Sequence, residues 1–176
     1  MQVSKPFQSY EPPPPQLKPA DPVTILVADA AIGIILEELT EVWIEHIGST
    51  AVPGLAGSGI IDLMLISSPD QIEPVQKALD RLGFQQPHPN DPLSSTPLVR
   101  VASMPYEGKS YLIHLYIVDK DSPRVNQFRT FRDRLRLDPA FRSAYQDLKR
   151  SFFARGSLSP SEYTRVKSEF IQRALS

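Results

Sequence analysis

Eighteen of the 176 residues are proline, and seven of those lie in the first 22, including the run Pro12–Pro15. Each proline removes an amide donor and locks φ, so this segment can form neither a regular helix nor a central strand. Residues 1–22 therefore read as an extended, polyproline-type arm, disordered or loosely draped, that could recruit a protein partner of the SH3 or WW kind. The folded domain is expected over residues 23–176, a length that suits one unit with a full hydrophobic core.

Within that domain the apolar pattern changes period several times. Residues 23–27 are β-branched and read as a strand or extended entry, followed by a helix from Asp29 to Leu39 with Ile32, Ile35, Leu36 and Leu39 inward. Residues 42–47 and 60–66 read as strands, joined by a small-residue loop from Gly48 to Gly59. A helix capped at Ser67–Pro69 runs to Leu82 and stops at Gly83. Residues 85–97 read as a loop, and 98–104 and 111–118 as an antiparallel hairpin turning at Glu107-Gly108. Three helices follow: 123–137, a second opened by Asp138-Pro139 and ended by Gly156, and a last one opened by Ser159–Glu162. Strands interleaved with helices, then a helical tail, give a mixed α/β or α+β domain.

The net charge of −1 conceals a division. From Arg124 onward there are 12 Lys and Arg against 5 Asp and Glu, leaving the front of the chain acidic. Such a tail is either a solvated set of arginine-rich helices or a basic wall facing an anionic ligand. Its aromatic residues sit at core spacing rather than as a stacking platform, which argues against nucleic acid. The chain has no cysteine, which excludes disulfides and thiolate chemistry and suits the cytoplasm. It has no apolar stretch of membrane-spanning length and no secretory leader pattern at Met1.

The informative stretch is 45–62, Glu-His-Ile-Gly-Ser-Thr-Ala-Val-Pro-Gly-Leu-Ala-Gly-Ser-Gly-Ile-Ile-Asp. Gly48 permits a sharp turn and a close ligand, and Ser49 and Thr50 set hydroxyls beside free amides, as a phosphate cradle needs. The loop has neither the P-loop lysine nor dinucleotide-fingerprint spacing. Asp62 is a single carboxylate in an apolar strand. It either faces solvent, caps a loop, or binds a hard cation such as Mg²⁺.

The run His46–Leu55 with Ile60-Ile61-Asp62 resembles the GrpB family of nucleotidyltransferase-fold proteins. Phe131–Arg136, Pro139, Tyr145, Leu148-Lys149, Tyr163, Lys167 and Phe170-Ile171 follow that family's tail pattern in order. The resemblance spans about residues 23–175. It implies an α+β fold: a nucleotidyltransferase-like mixed sheet with helices on one side and a helical C-terminal part. It implies a phosphate turn at Gly48 and Ser49, a metal carboxylate at Asp62 for Mg²⁺ or Mn²⁺, and metal-assisted attack on an α-phosphate with pyrophosphate leaving.

Three positions depart from that pattern. Met64 stands where a second acid is usual and cannot bind a hard cation. Ser58-Gly59 replaces a Lys-Pro pair. His114-Leu115-Tyr116 keeps one imidazole of a His-x-His, with His114 and Tyr116 on one sheet face. His114 is either a ligand, a proton carrier or a structural histidine. The missing charge could come from Arg129, Arg132 and Arg136 on one helix face, and from Lys149 and Lys167, each four residues after a tyrosine. Arg132-Asp133 reads equally as a buried ion pair, and His46 joins the site through the resemblance alone. Two functions follow: Mg²⁺-dependent nucleotidyl transfer at Asp62 and His114, or non-catalytic binding of a nucleotide or other phosphorylated small molecule.

Overall fold

The structure is a computed structural model that describes residues 5–96, 98–156 and 159–175. The first four residues of the proline arm, Pro97 of the predicted loop and the terminal Ser176 lie outside the described residues. Helix α1 spans Val23–Glu38, strand β1 Trp43–Ile47, β2 Ile61–Ser67, helix α2 Ile72–Leu82, β3 Val99–Tyr106 and β4 Lys109–Asp119. Helices α3 (Arg124–Leu137), α4 (Pro139–Ala154) and α5 (Pro160–Leu175) complete the chain. One mixed sheet has the order β1-β2-β4-β3, with β2 and β4 parallel and both outer pairs antiparallel. The fold is α+β, as the pattern predicts. Among the described residues no helix is long and apolar enough to cross a membrane.

Residues 23–27 are helix, not strand. The overriding signal is Asp21-Pro22: the Asp21 carboxylate accepts from the Val23 amide at 3.0 Å, and proline fits a helix start. The buried stripe of α1 is Thr24, Val27, Ala28, Ala31 and Ile35, whereas the expected Leu36 is exposed. This helix is apolar on nearly every side, so bulk alone does not mark its inner face. Small alanines do, because they let it approach the sheet closely.

Period-two alternation divides the sheet into two faces. Ile61, Leu63 and Leu65 of β2 and Ile113, Leu115 and Ile117 of β4 form the main core beneath α1 and α2. The other face carries Asp62, Met64, His114 and Tyr116. There Met64 packs with Ile47, Val118 and Val125, under α3. Helices α4 and α5 extend this cover: Tyr145 and Phe170 join Phe131 and Leu135 of α3 against Val52 and Leu55 of the loop that follows β1.

The arm is extended but not loose. Phe7 is 1% exposed and belongs to the main core, its ring 4.4 Å from that of Phe84. Gln8 pairs with Ser103 on the β3 edge through both backbone bonds, at 2.8 and 3.0 Å. Lys18 and Gly57 exchange backbone bonds at 2.7 and 3.1 Å. The prolines Pro12–Pro15 bridge these two moorings. Burying a phenylalanine is worth about 2–3 kcal/mol, enough to hold a short segment that composition alone would leave free.

Candidate functional site

The site begins where β1 ends. Gly48 has φ 72°, and a Cβ there would collide with the Asp62 carboxylate and lie 3.1 Å from the Asp62 Cβ. Only glycine can carry the chain this close over β2 in that conformation. The turn continues as one 3₁₀ turn, Ser49–Ala51, directly after the glycine that packs on Asp62. On the neighbouring strand His114 is in register with Asp62, its Nδ1 3.6 Å from Asp62 Oδ1.

Two lysines from the tail complete the cluster. Lys149 on α4 is 2% exposed, and its Nζ donates to the Ala56 carbonyl at 2.6 Å and to Ser49 Oγ at 3.2 Å. The same ammonium lies 4.3 Å from the centroid of the Tyr145 ring. Burial, then repulsion from Lys167, brings Lys149 down to about 7, with Asp62 opposing. Gly57 leaves room for this contact: a Cβ there would stand 3.0 Å from the Ser49 Cβ and 3.6 Å from Lys149 Nζ. Lys167 on α5 is held above its ordinary range by the Tyr145 oxygen, against the cost of burial, and by Asp62, Tyr163 and Tyr116. Burial pushes Asp62 up, while Lys167, Lys149 and a Tyr116 hydrogen bond pull it back. The Tyr145 hydroxyl, beside Ser49, is fully buried and makes no hydrogen bond of ordinary length.

The arm reaches this cluster too. Tyr10 is 3% exposed and its Oη lies 2.7 Å from His114 Nε2. Burial, with Asp91 and Asp62 nearby, raises the Tyr10 phenol, so it keeps its proton and donates. Burial and then Lys167 bring His114 down to about 3, so the ring is neutral. The Asp62 carboxylate facing Nδ1 favours the ring proton there, which leaves Nε2 to accept from Tyr10.

Of the residues singled out from sequence, Gly48, Ser49, Asp62, His114, Tyr116, Lys149 and Lys167 are therefore brought together. Five others are not. His46 is in register with Leu63, on the opposite sheet face from Asp62, and its Nε2 is 2.8 Å from Thr50 Oγ1. That contact turns the Thr50 hydroxyl away from Ser49. Thr50 instead lines a cavity of about 250 Å³ with Pro22, Thr24 and Val52. Arg132 donates to Glu45 and Asp133, both at 2.8 Å, which is the ion-pair alternative. Arg129 also pairs with Glu45. Arg136 grips the Ala51 carbonyl through two nitrogens, at 3.0 and 2.8 Å. Burial works against the Glu45 carboxylate, but hydrogen bonds from Arg129 and Arg132 hold it below its ordinary range. These arginines fasten α3 to β1 and to the turn; their donors are aimed at protein acceptors. Sequence reasoning missed Tyr10. Its one signal was a pair of aromatics, Phe7 and Tyr10, in an otherwise polar and proline-rich arm.

The donor set does not fit the metal centre that the fold implies. Met64 is fully buried in apolar company at the second acid position. His114 has one nitrogen taken by Tyr10 and the other protonated. Among the described residues no group of three His, Asp or Glu could hold a metal ion. Asp62 alone offers a free hard donor, and ammonium groups already bear on it.

Comparison with known proteins agrees with this architecture. Residues 21–176 match the family model described as GrpB protein. The chain belongs to the GrpB family. A UPF0157 protein of Streptomyces coelicolor is 30% identical over 143 residues, covering 78% of this chain and 69% of that protein. One from Pseudomonas aeruginosa is 30% identical over 165 residues, covering 91% of this chain and 66% of that protein. The chain thus spans about two thirds of the length of these GrpB relatives. The crystal structure of GrpB from Enterococcus faecalis superposes with a TM-score of 0.69 at 22% identity, over 91% of this chain and 97% of that one. The Cid1 poly(U) polymerase with Mg 3′-dATP bound shares the fold at TM-score 0.51 and 12% identity, over 84% of this chain and 49% of that one. The fold is nucleotidyltransferase-like.

Proposed function

We propose that this GrpB protein binds the phosphate group of a nucleotide or other phosphorylated small molecule at the Gly48-Ser49 turn. One observation carries the reading: a buried ammonium, Lys149, is held at 3.2 Å on the Ser49 hydroxyl, with a second lysine and an unpartnered tyrosine hydroxyl beside it. Two ammonium groups face a single carboxylate, so the cluster has an excess of positive charge that an anion would balance. The Tyr145 hydroxyl, buried beside Ser49 without a hydrogen bond of ordinary length, is a donor that a ligand could engage. Calorimetric titration with ATP, GTP and CoA-type ligands tests this. Binding that weakens at least about tenfold in Ser49→Ala supports it. Binding unchanged in Ser49→Ala and in Lys149→Met would place the ligand elsewhere.

Nucleotidyl transfer is the competing reading. It is favoured by the approach of Asp62 to the glycine turn, where the superfamily resemblance sets a metal-binding carboxylate. Pyrophosphate release from labelled nucleoside triphosphates in the presence of Mg²⁺ or Mn²⁺, abolished in Asp62→Asn, would replace the binding reading with the catalytic one.

A further inference from the structure

We propose that this site takes its phosphate without a divalent cation, the Lys149 ammonium standing against the Ser49 turn where a metal would otherwise be needed. The inference rests on the phosphate reading above and deepens it.

Three independent features lead to it. First, the strand that should carry two acids carries Asp62 and Met64, and Met64 is committed to a core with Ile47, Val118 and Val125. Second, His114 is already engaged within the protein. Tyr10 Oη lies 2.7 Å from Nε2, and Nδ1 faces the Asp62 carboxylate at 3.6 Å. A metal at this ring would have to displace one of those contacts. Third, positive charge is already built in. Lys149 is fixed by two acceptors, Ala56 and Ser49, so its position costs the ligand no ordering.

Asp62 then has a different part to play. It faces His114 Nδ1 at 3.6 Å, and the positive charge of Lys167 and Lys149 offsets its own, which lessens its repulsion of an anion at the turn. The anion's own place is bounded by Ser49, Lys149 and Tyr145. Among the described residues the Tyr145 hydroxyl is buried there, beside Ser49, with no hydrogen bond of ordinary length.

The test measures ATP affinity by calorimetry in excess Mg²⁺ and in EDTA, and Mn²⁺ binding to the nucleotide-free protein by electron paramagnetic resonance. The expected result is an ATP dissociation constant that changes by less than about threefold between the two buffers, at least about tenfold weaker binding by Lys149→Met in both, and no Mn²⁺ signal attributable to the protein. Loss of tenfold or more on adding EDTA overturns the proposal. So does Mn²⁺ binding that disappears in Asp62→Asn, and that result leaves phosphate binding itself standing. Absence of ATP binding in both buffers removes the phosphate reading and this inference with it. If Lys149→Met does not fold, Tyr145→Phe takes its place. Removing that hydroxyl should weaken ATP about threefold or more in both buffers, and an unchanged affinity counts against the proposal.

Discussion

The basic tail holds two kinds of cation, and they behave differently. Arg129, Arg132 and Arg136 of α3 reach across to β1 and the Gly48 turn, and each finds a protein acceptor: Glu45, Asp133 or the Ala51 carbonyl. The lysines of α4 and α5 turn onto Ser49 and Asp62, where acceptors are fewer than donors. Guanidinium forks suit planar, multidentate fixing of one element to another. A single ammonium leaves donors free for a visitor. Positive charge on neighbouring helices thus serves architecture in one layer and an open valence in the next.

The largest effect that would break this contrast is expected at Glu45. Replacing it by Ala leaves Arg129 and Arg132 facing each other without their shared carboxylate. The loss should be about 3 kcal/mol of stability, read by denaturant unfolding, with ATP affinity of the folded protein nearly unchanged. Lys149→Met should do the reverse: ATP binding weaker by about ten- to a hundredfold, with the unfolding midpoint retained, since a costly buried charge is removed. If both substitutions cost stability and neither affects binding, the division between arginine and lysine layers is wrong.

A pH series sharpens the same contrast. Lys149 is brought down to about 7, so its charged, anion-binding form is lost as pH rises through that value. Affinity for ATP should fall by about tenfold between pH 6.5 and 8.5, with proton uptake on binding below the upper end of that range. Lys149→Arg, which stays charged, should flatten the profile. The arginine layer, always charged, contributes no such slope.

The smallest expected effect lies at Tyr10→Phe, about 1 kcal/mol of stability. Its sharper reading is nuclear magnetic resonance of the His114 nitrogens. The native protein should show one neutral tautomer with the proton on Nδ1, and the variant a mixture of both. A native ring already in exchange between tautomers would separate Tyr10 from the site.

Much of this was legible in the sequence, for reasons that can be named. Helix α2 and the hairpin follow from period and turn residues. The Gly48–Asp62 approach follows from a glycine that only a crowded, positive-φ turn requires. Lys149 and Lys167 were legible as residues on the same helical faces as Tyr145 and Tyr163. What was not legible depended on contacts far apart in the chain. Whether Arg132 meets a ligand or Glu45 is settled by which face of β1 meets α3, and a five-residue strand does not announce its faces. His46 entered the site through the family resemblance alone, and its register with Leu63 puts it on the other face of the sheet. The entry to α1 was misread because five β-branched or apolar residues outweighed the two-residue signal of Asp21-Pro22 before them.

The docked arm has a consequence for where this molecule starts. The family pattern begins at residue 21, yet a phenylalanine fourteen positions earlier is seated in the main core and a tyrosine eleven positions earlier fixes the site histidine. A copy cut at the edge of the recognisable pattern would bare the ring of Phe84, strip the β3 edge of its partner and leave His114 unclamped. The recognisable stretch therefore leaves out side chains that the fold itself uses.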